Sequence, residues 1–164
     1  MKLDAASEAE ARSTLEHCCG ARRWWEGMLA ARPFHGVENA FEASERLFDQ
    51  LKDEDWLEAF RHHPQIGADI DSLRRKFAST VHFAEKEQAG VRGADDALLE
   101  ALAGGNARYL ERHGFIFIIC ATGLTAEAML AALEARIDNP RDVELRIAAS
   151  EQRKITRIRL EKSV

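Results

Sequence analysis

The sequence predicts an all-α fold: a single-domain multi-helix bundle with one short extended segment near 115–121. Three observations predict it. Apolar residues recur at three- and four-residue spacings, helix start and stop signals bracket those runs, and only three prolines interrupt 164 residues. Apolar residues make up 46% and charged residues 31%, a globular balance at a length that builds a core without staples, so residues 1–164 are read as one domain.

The elements follow in order. "SEAEARSTLEHC" opens on Ser7 with Glu10 three residues on, a capping-box spacing, and Gly20 stops it. "ARRWWEGMLAARPF" puts Trp24, Met28 and Ala31 at helical spacing and ends before Pro33. "VENAFEASERLFDQL" places Phe41, Ser44, Leu47, Phe48 and Leu51 on one face, and "DEDWLEAFRHH" is a short helix stopped by Pro64. A helical pattern runs from Asp71 to about Gln88 and is closed by "AGVRG". "ADDALLEALAGGNARYLERHG" is a helix with a weak point at Gly104 and Gly105. It ends on His113-Gly114, where an imidazole suits the negative helix end and a glycine the left-handed cap. "FIFIICATG" reads as strand by propensity but has no partner strand, which makes it a buried extended segment before a helix that Thr125 caps. The last helix starts at about Pro140 and runs to Glu161.

Charge and motifs exclude several functions. A net charge of -5 argues against nucleic acid, which needs a basic surface to displace counterions. The start of the chain lacks the apolar stretch of a signal peptide, and no apolar run is long enough to cross a bilayer. Cys18, Cys19 and Cys120 have no CxxC spacing and read as reduced thiols, so a cytoplasmic location is expected. No HxH, HxxxH or HExxH pattern puts two metal ligands on one face, and no glycine-rich loop cradles a phosphate.

Three places hold candidate chemistry. In "HHPQIG" the proline disfavours helical angles at His63, so that imidazole sits where the helix breaks and Gly67 turns the backbone. It either closes the helix or works as a general acid–base group in a cleft. In "EKEQAG", Glu87 and Gln88 are either a solvated helix end or a carboxylate–amide pair for a polar heterocycle or a histidine. In the last helix, at about 100° per residue from Ile155, the residues Ile147, Ala148 and Ile158 share an arc read as the inward face. Arg159 lies about 40° round, at its edge, and Arg157 about 200° round, facing water. A guanidinium at such a border either meets an anion or packs its stem on the core.

With these residues in view, the sequence resembles the 2-oxo-4-hydroxy-4-carboxy-5-ureidoimidazoline (OHCU) decarboxylases of uric acid breakdown. "CGARRWWEGMLAARPF", "HHPQIG", "EQAG", "NARYLERHGFIFIICATG" and "ELRIAASEQRKITRIRLEK" carry the resemblance and span nearly the whole chain in the family's order. The resemblance implies an all-helical enzyme that works without metal or organic cofactor, commonly as a homodimer, on the small molecule OHCU. It implies His63 as catalytic histidine, Glu87 as its carboxylate partner and Gln88 as a substrate-binding amide. Pro64 would shape the pocket wall, Arg159 would be the arginine of the last helix, and backbone around Phe117, Ile119 and Ala121 would bind the ureido and ring groups. Two positions depart from the family, which often has serine where this chain has Ala21 and Ala84. Two other functions compete: a non-catalytic helical module that binds a ureide or purine, and a metal-dependent hydrolase using His62, His63 and His82.

Overall fold

The computed structural model describes residues 1–65, 70–77 and 88–164, with the side chains of 76–77 and 88–95 left aside. Among the described residues the fold is all-α, with the helices α1 Lys2–Ala5, α2 Glu8–Cys18, α3 Arg22–Ala30, α4 Val37–Phe48, α5 Asp53–Arg61, α6 Ile70–Phe77, α7 Gln88–His113, α8 Ala126–Ile137 and α9 Arg141–Glu161. The chain divides into two compact units, one of residues 1–63 with 145–164 and one of residues 64–144.

In the first unit, α2 begins at the expected capping box. Ser7 accepts from the Glu10 amide at 3.3 Å, and the Glu10 carboxylate accepts from the Ser7 amide at 3.0 Å, so two orphan donors are satisfied at once. The short α1 is absent from the sequence reading. Leu3 is buried, and the Asp4 carboxylate takes the amides of Phe34 and His35 at 2.9 and 3.1 Å, holding the link before α4. The helical spacings of α3 and α4 bury Trp24, Met28, Phe41, Ser44 and Phe48, whereas Ala31 is exposed beyond the end of α3. Trp24, Phe48 and Trp56 of α5 form a stack with centroids 5.5 and 5.4 Å apart. Ser44 belongs on that face because its hydroxyl accepts the Trp24 indole N–H at 3.2 Å.

The second unit is built on α7 and α8. α7 starts at Gln88 and runs through "AGVRG" and through Gly104-Gly105 without a break. Glycine weakens a helix but does not forbid it, so the expected separation at "AGVRG" is corrected. Gly105 has a packing reason: a Cβ there would come 2.8 Å from Leu133 Cδ2 of α8. α7 ends as expected at Gly114, whose positive φ of 74° suits glycine and whose amide returns to the Leu110 carbonyl at 2.8 Å. His113 turns inward beside Tyr109 and donates from Nε2 to the Ile137 carbonyl at 3.0 Å. Residues 116–121 are neither helix nor strand, and Thr125 caps α8 by accepting the Ala128 amide at 3.1 Å.

The last helix buries a different stripe from the expected one. Its fully covered residues are Glu144, Leu145, Ala148, Gln152, Thr156 and Leu160, while Ile147, Ile155 and Ile158 are only half-buried. Polar Gln152 and Thr156 occupy the seam because each is hydrogen-bonded there, which removes the penalty that would keep them out. Arg159 therefore sits beside the true seam rather than at the margin of an isoleucine face.

Candidate active site

His63 lies where the sequence places it, just past the end of α5, after His62 in helical conformation. Its amide still reaches back to the Phe60 carbonyl at 3.1 Å, so the last turn tightens before Pro64. Gly20, in the link between α2 and α3, lets this end settle: a Cβ there would meet His62 Cγ at 2.3 Å. Gly67 lies outside the described residues.

The half-buried His63 ring points at α9 of its own unit. Its Nε2 is 2.6 Å from Gln152 Oε1, and Gln152 Nε2 donates to Thr156 Oγ1 at 3.1 Å. Thr156 in turn meets the thiol of Cys19, which also receives a backbone hydrogen bond at Ala21. Burial pushes the Cys19 thiol up to about 11, so it stays protonated at neutral pH. Burial is also the main force on His63 and holds its pKa below the ordinary imidazole range. The Gln152 hydrogen bond acts the other way, and the charges of Arg159 and His62 reinforce burial. Glu87, the carboxylate that the resemblance implies as partner of this ring, lies outside the described residues.

Arg159 is half-buried and close enough to His63 for its charge to act on the ring. One guanidinium nitrogen, Nη1, donates to the His17 carbonyl in the last turn of α2 at 3.0 Å. The cation thus has a partner in the negative end of a helix, a third answer beside an anionic ligand or an apolar stem. Arg157 faces outward as expected, over the Phe41 ring at 3.5 Å and paired with Glu161. Ala21 is buried at the start of α3 and offers no cap, and the Glu58 carboxylate of α5 takes the Arg22 amide at 2.9 Å.

In the second unit, a buried polar network holds the segment that follows α7. Arg136 and Glu144 are ion-paired with side chains 11% and 0% exposed, and the Tyr109 hydroxyl donates to the same carboxylate at 2.6 Å. Arg136 Nη1 donates to the Ile118 carbonyl at 2.9 Å, and its guanidinium lies 4.5 Å from the centre of the Phe117 ring. Burial, followed by the Glu144 contact, raises the Tyr109 pKa strongly, so the phenol remains a donor. Phe117 and Ile118 are buried, while Ile119 and Ala121 are half-buried. Pro64 is exposed at the start of this unit. Gln88 opens α7; its side chain, and the whole of Glu87, His82 and Ala84, lie outside what is described. Among the described residues no three His, Cys, Asp or Glu side chains gather as metal ligands, and no helix is long and apolar enough to cross a membrane.

Sequence reasoning thus finds His63 and Arg159, which the first unit brings together, but not Gln152 and Thr156 beside them. The signal was available: a polar pair four residues apart, in register with Leu145 and Ala148. The Arg136–Glu144–Tyr109 network had no such signal, because its members come from three helices.

The comparisons with known proteins agree with one another. The family model described as OHCU decarboxylase matches residues 4–161. The uric acid degradation bifunctional protein TTL of Arabidopsis thaliana is 42% identical over 88% of this chain, and this chain spans 44% of that protein's length. The 2-oxo-4-hydroxy-4-carboxy-5-ureidoimidazoline decarboxylase of Haloferax volcanii is 28% identical over 82% of this chain and 77% of its own length. A crystal structure of OHCU decarboxylase in the presence of (S)-allantoin superposes with a TM-score of 0.74 at 34% identity, covering 96% of this chain and 97% of that one. With a family model matched almost end to end, the chain belongs to the OHCU decarboxylase family.

Proposed function

We propose that this chain, acting as a single domain, catalyses the decarboxylation of OHCU to (S)-allantoin without a cofactor, in the breakdown of uric acid. The observation that carries the reading is a half-buried His63 hydrogen-bonded to Gln152, with its pKa lowered and within reach of the charge of Arg159, in a chain of this family. The substrate bears a carboxylate and a hydroxyl on one carbon, next to a ring C=N. When the bond to the carboxylate breaks, its electron pair flows into the adjacent C=N. The hydroxyl proton then leaves as that oxygen becomes a carbonyl, the ring nitrogen that received the electrons takes up a proton, and the neighbouring carbon gains a proton on one face. One proton replaces one CO2, so placement is the main task of the protein.

His63 takes the hydroxyl proton and supplies one to carbon, with Glu87 as its carboxylate partner. Arg159 keeps the His17 carbonyl on one nitrogen and offers its remaining N–H groups to an anionic or carbonyl oxygen of the substrate. Gln88, the wall at Pro64 and the backbone of Phe117, Ile119 and Ala121 orient the ring and ureido arm. We also infer a homodimer in the cytoplasm; sedimentation of the purified chain at twice its monomer mass supports the dimer, and a monomer mass refutes it.

The test is a circular dichroism time course on OHCU made freshly from urate with uricase and hydroxyisourate hydrolase. The protein yields the optically active allantoin signal at a rate insensitive to chelator, and a folded His63→Asn variant does not. Allantoin forming only at the spontaneous racemic rate, with tight ureide binding retained, establishes the binding module instead.

A further inference from the structure

We propose that Gln152 is a positioning residue that fixes His63 in the tautomer with its proton on Nε2, so that Nδ1 is the nitrogen that exchanges protons with substrate. The proposal rests on the decarboxylase reading for its kinetic consequence and on geometry for the tautomer itself.

The geometry is a directed chain of hydrogen bonds. Gln152 is fully buried and has one amide end on each neighbour, Oε1 toward His63 at 2.6 Å and Nε2 toward Thr156 Oγ1 at 3.1 Å. Thr156 is also fully buried, and its hydroxyl oxygen accepts the Gln152 Nε2–H while it lies beside the Cys19 thiol. With its NH2 on that hydroxyl, the amide presents its oxygen to the imidazole. A carbonyl oxygen only accepts, so His63 Nε2 carries a hydrogen. The polarity runs one way, from His63 through Gln152 to Thr156.

An amide differs from a carboxylate in this place because it cannot take up the proton. Gln152 Oε1 accepts from Nε2–H in the neutral ring and equally in the imidazolium, so nothing rearranges when Nδ1 gains or loses its proton. Among the described residues the charged or titratable groups acting on the ring are Arg159, on the same helix as Gln152, and His62 beside it. Both oppose the imidazolium, so the amide supports the ring without turning it into a standing cation. The tautomer is thereby assigned to Gln152, and Glu87 is left to the reaction itself.

The test reads the tautomer and the rate separately. In the full chain, 15N NMR of the imidazoles, with His63 identified by its loss in His63→Asn, is expected to show protonated Nε2 and unprotonated Nδ1 at neutral pH. Gln152→Leu is expected to mix the tautomers and lower kcat about tenfold or more with KM little changed. Gln152→Glu, nearly isosteric, is expected to move the acid limb of kcat/KM upward by about one pH unit or more, because a carboxylate favours the imidazolium. Protonated Nδ1 in the wild-type chain overturns the proposal, as does a folded Gln152→Leu variant with the wild-type tautomer and rate. The expected tautomer in a wild-type chain that turns over no OHCU supports the role of Gln152 and overturns the decarboxylase reading instead.

Discussion

At the residue scale, the behaviour of His63 follows from what surrounds it. Burial, reinforced by the charge of Arg159, favours the neutral ring, so in the proposed reaction His63 meets substrate as a base. The kcat/KM profile is therefore expected to stay flat from pH 8 down through the ordinary imidazole range, about 6.5, and to fall only below it. An acid limb at or above that range would mean that the imidazolium is favoured in the free enzyme. Glu87→Gln is expected to lower kcat more than it raises KM, and steady-state kinetics equal to wild type would remove that carboxylate from the mechanism. Cys19 is buried and stays a thiol, so it is not poised as a nucleophile.

At the scale of elements, two contacts, one in each unit, set the local geometry of residues in the proposed site. The first is the approach of the end of α5 to the link at Gly20. Because a Cβ there would meet His62 Cγ at 2.3 Å, next to its backbone, the α5 end itself must yield. Gly20→Ala is expected to cost about 1–3 kcal/mol in urea unfolding and to lower kcat by displacing His63; unchanged stability and rate would show that this approach is loose. The second is the buried network under the segment after α7. Arg136→Met leaves Glu144, 0% exposed, without its cation, and a loss of about 3–5 kcal/mol is expected from chemical denaturation. The same variant frees the Ile118 carbonyl, so KM for OHCU is expected to rise as well.

At the scale of the whole molecule, the His63 shift links stability to pH. The folded chain favours the neutral imidazole more than the unfolded chain does. As pH falls into the imidazole range, the unfolded state takes up its proton first, so the contribution is present above that range and lost as pH drops through the folded value. Urea midpoints of the wild type are expected to fall more between pH 7.5 and 5 than those of His63→Asn, and parallel declines would refute the linkage. The net charge of -5 does not oppose an anionic substrate at the proposed site, because the charge of Arg159 reaches the His63 ring and the bulk charge is screened over about 8 Å at physiological salt.

The sequence by itself determined the helical class, the capping box at Ser7, the caps at Gly114 and Thr125, the break after His63 and the non-helical run near 115–121. Each of these follows from a few adjacent residues, whose backbone preferences act locally. It also determined the family, through motifs in order, and the outward face of Arg157. Tertiary structure decided what depends on partners distant in sequence. The polarity of Gln152 and Thr156 gives no local sign that they face the seam of α9, and the hydrogen bond of Gln152 to His63, 89 positions away, favours their burial there. In the same way the His17 carbonyl, 142 positions from Arg159, decided what that guanidinium holds. A polar side chain is buried where its hydrogen bonds are completed, and those partners are chosen by the fold rather than by the neighbouring residues.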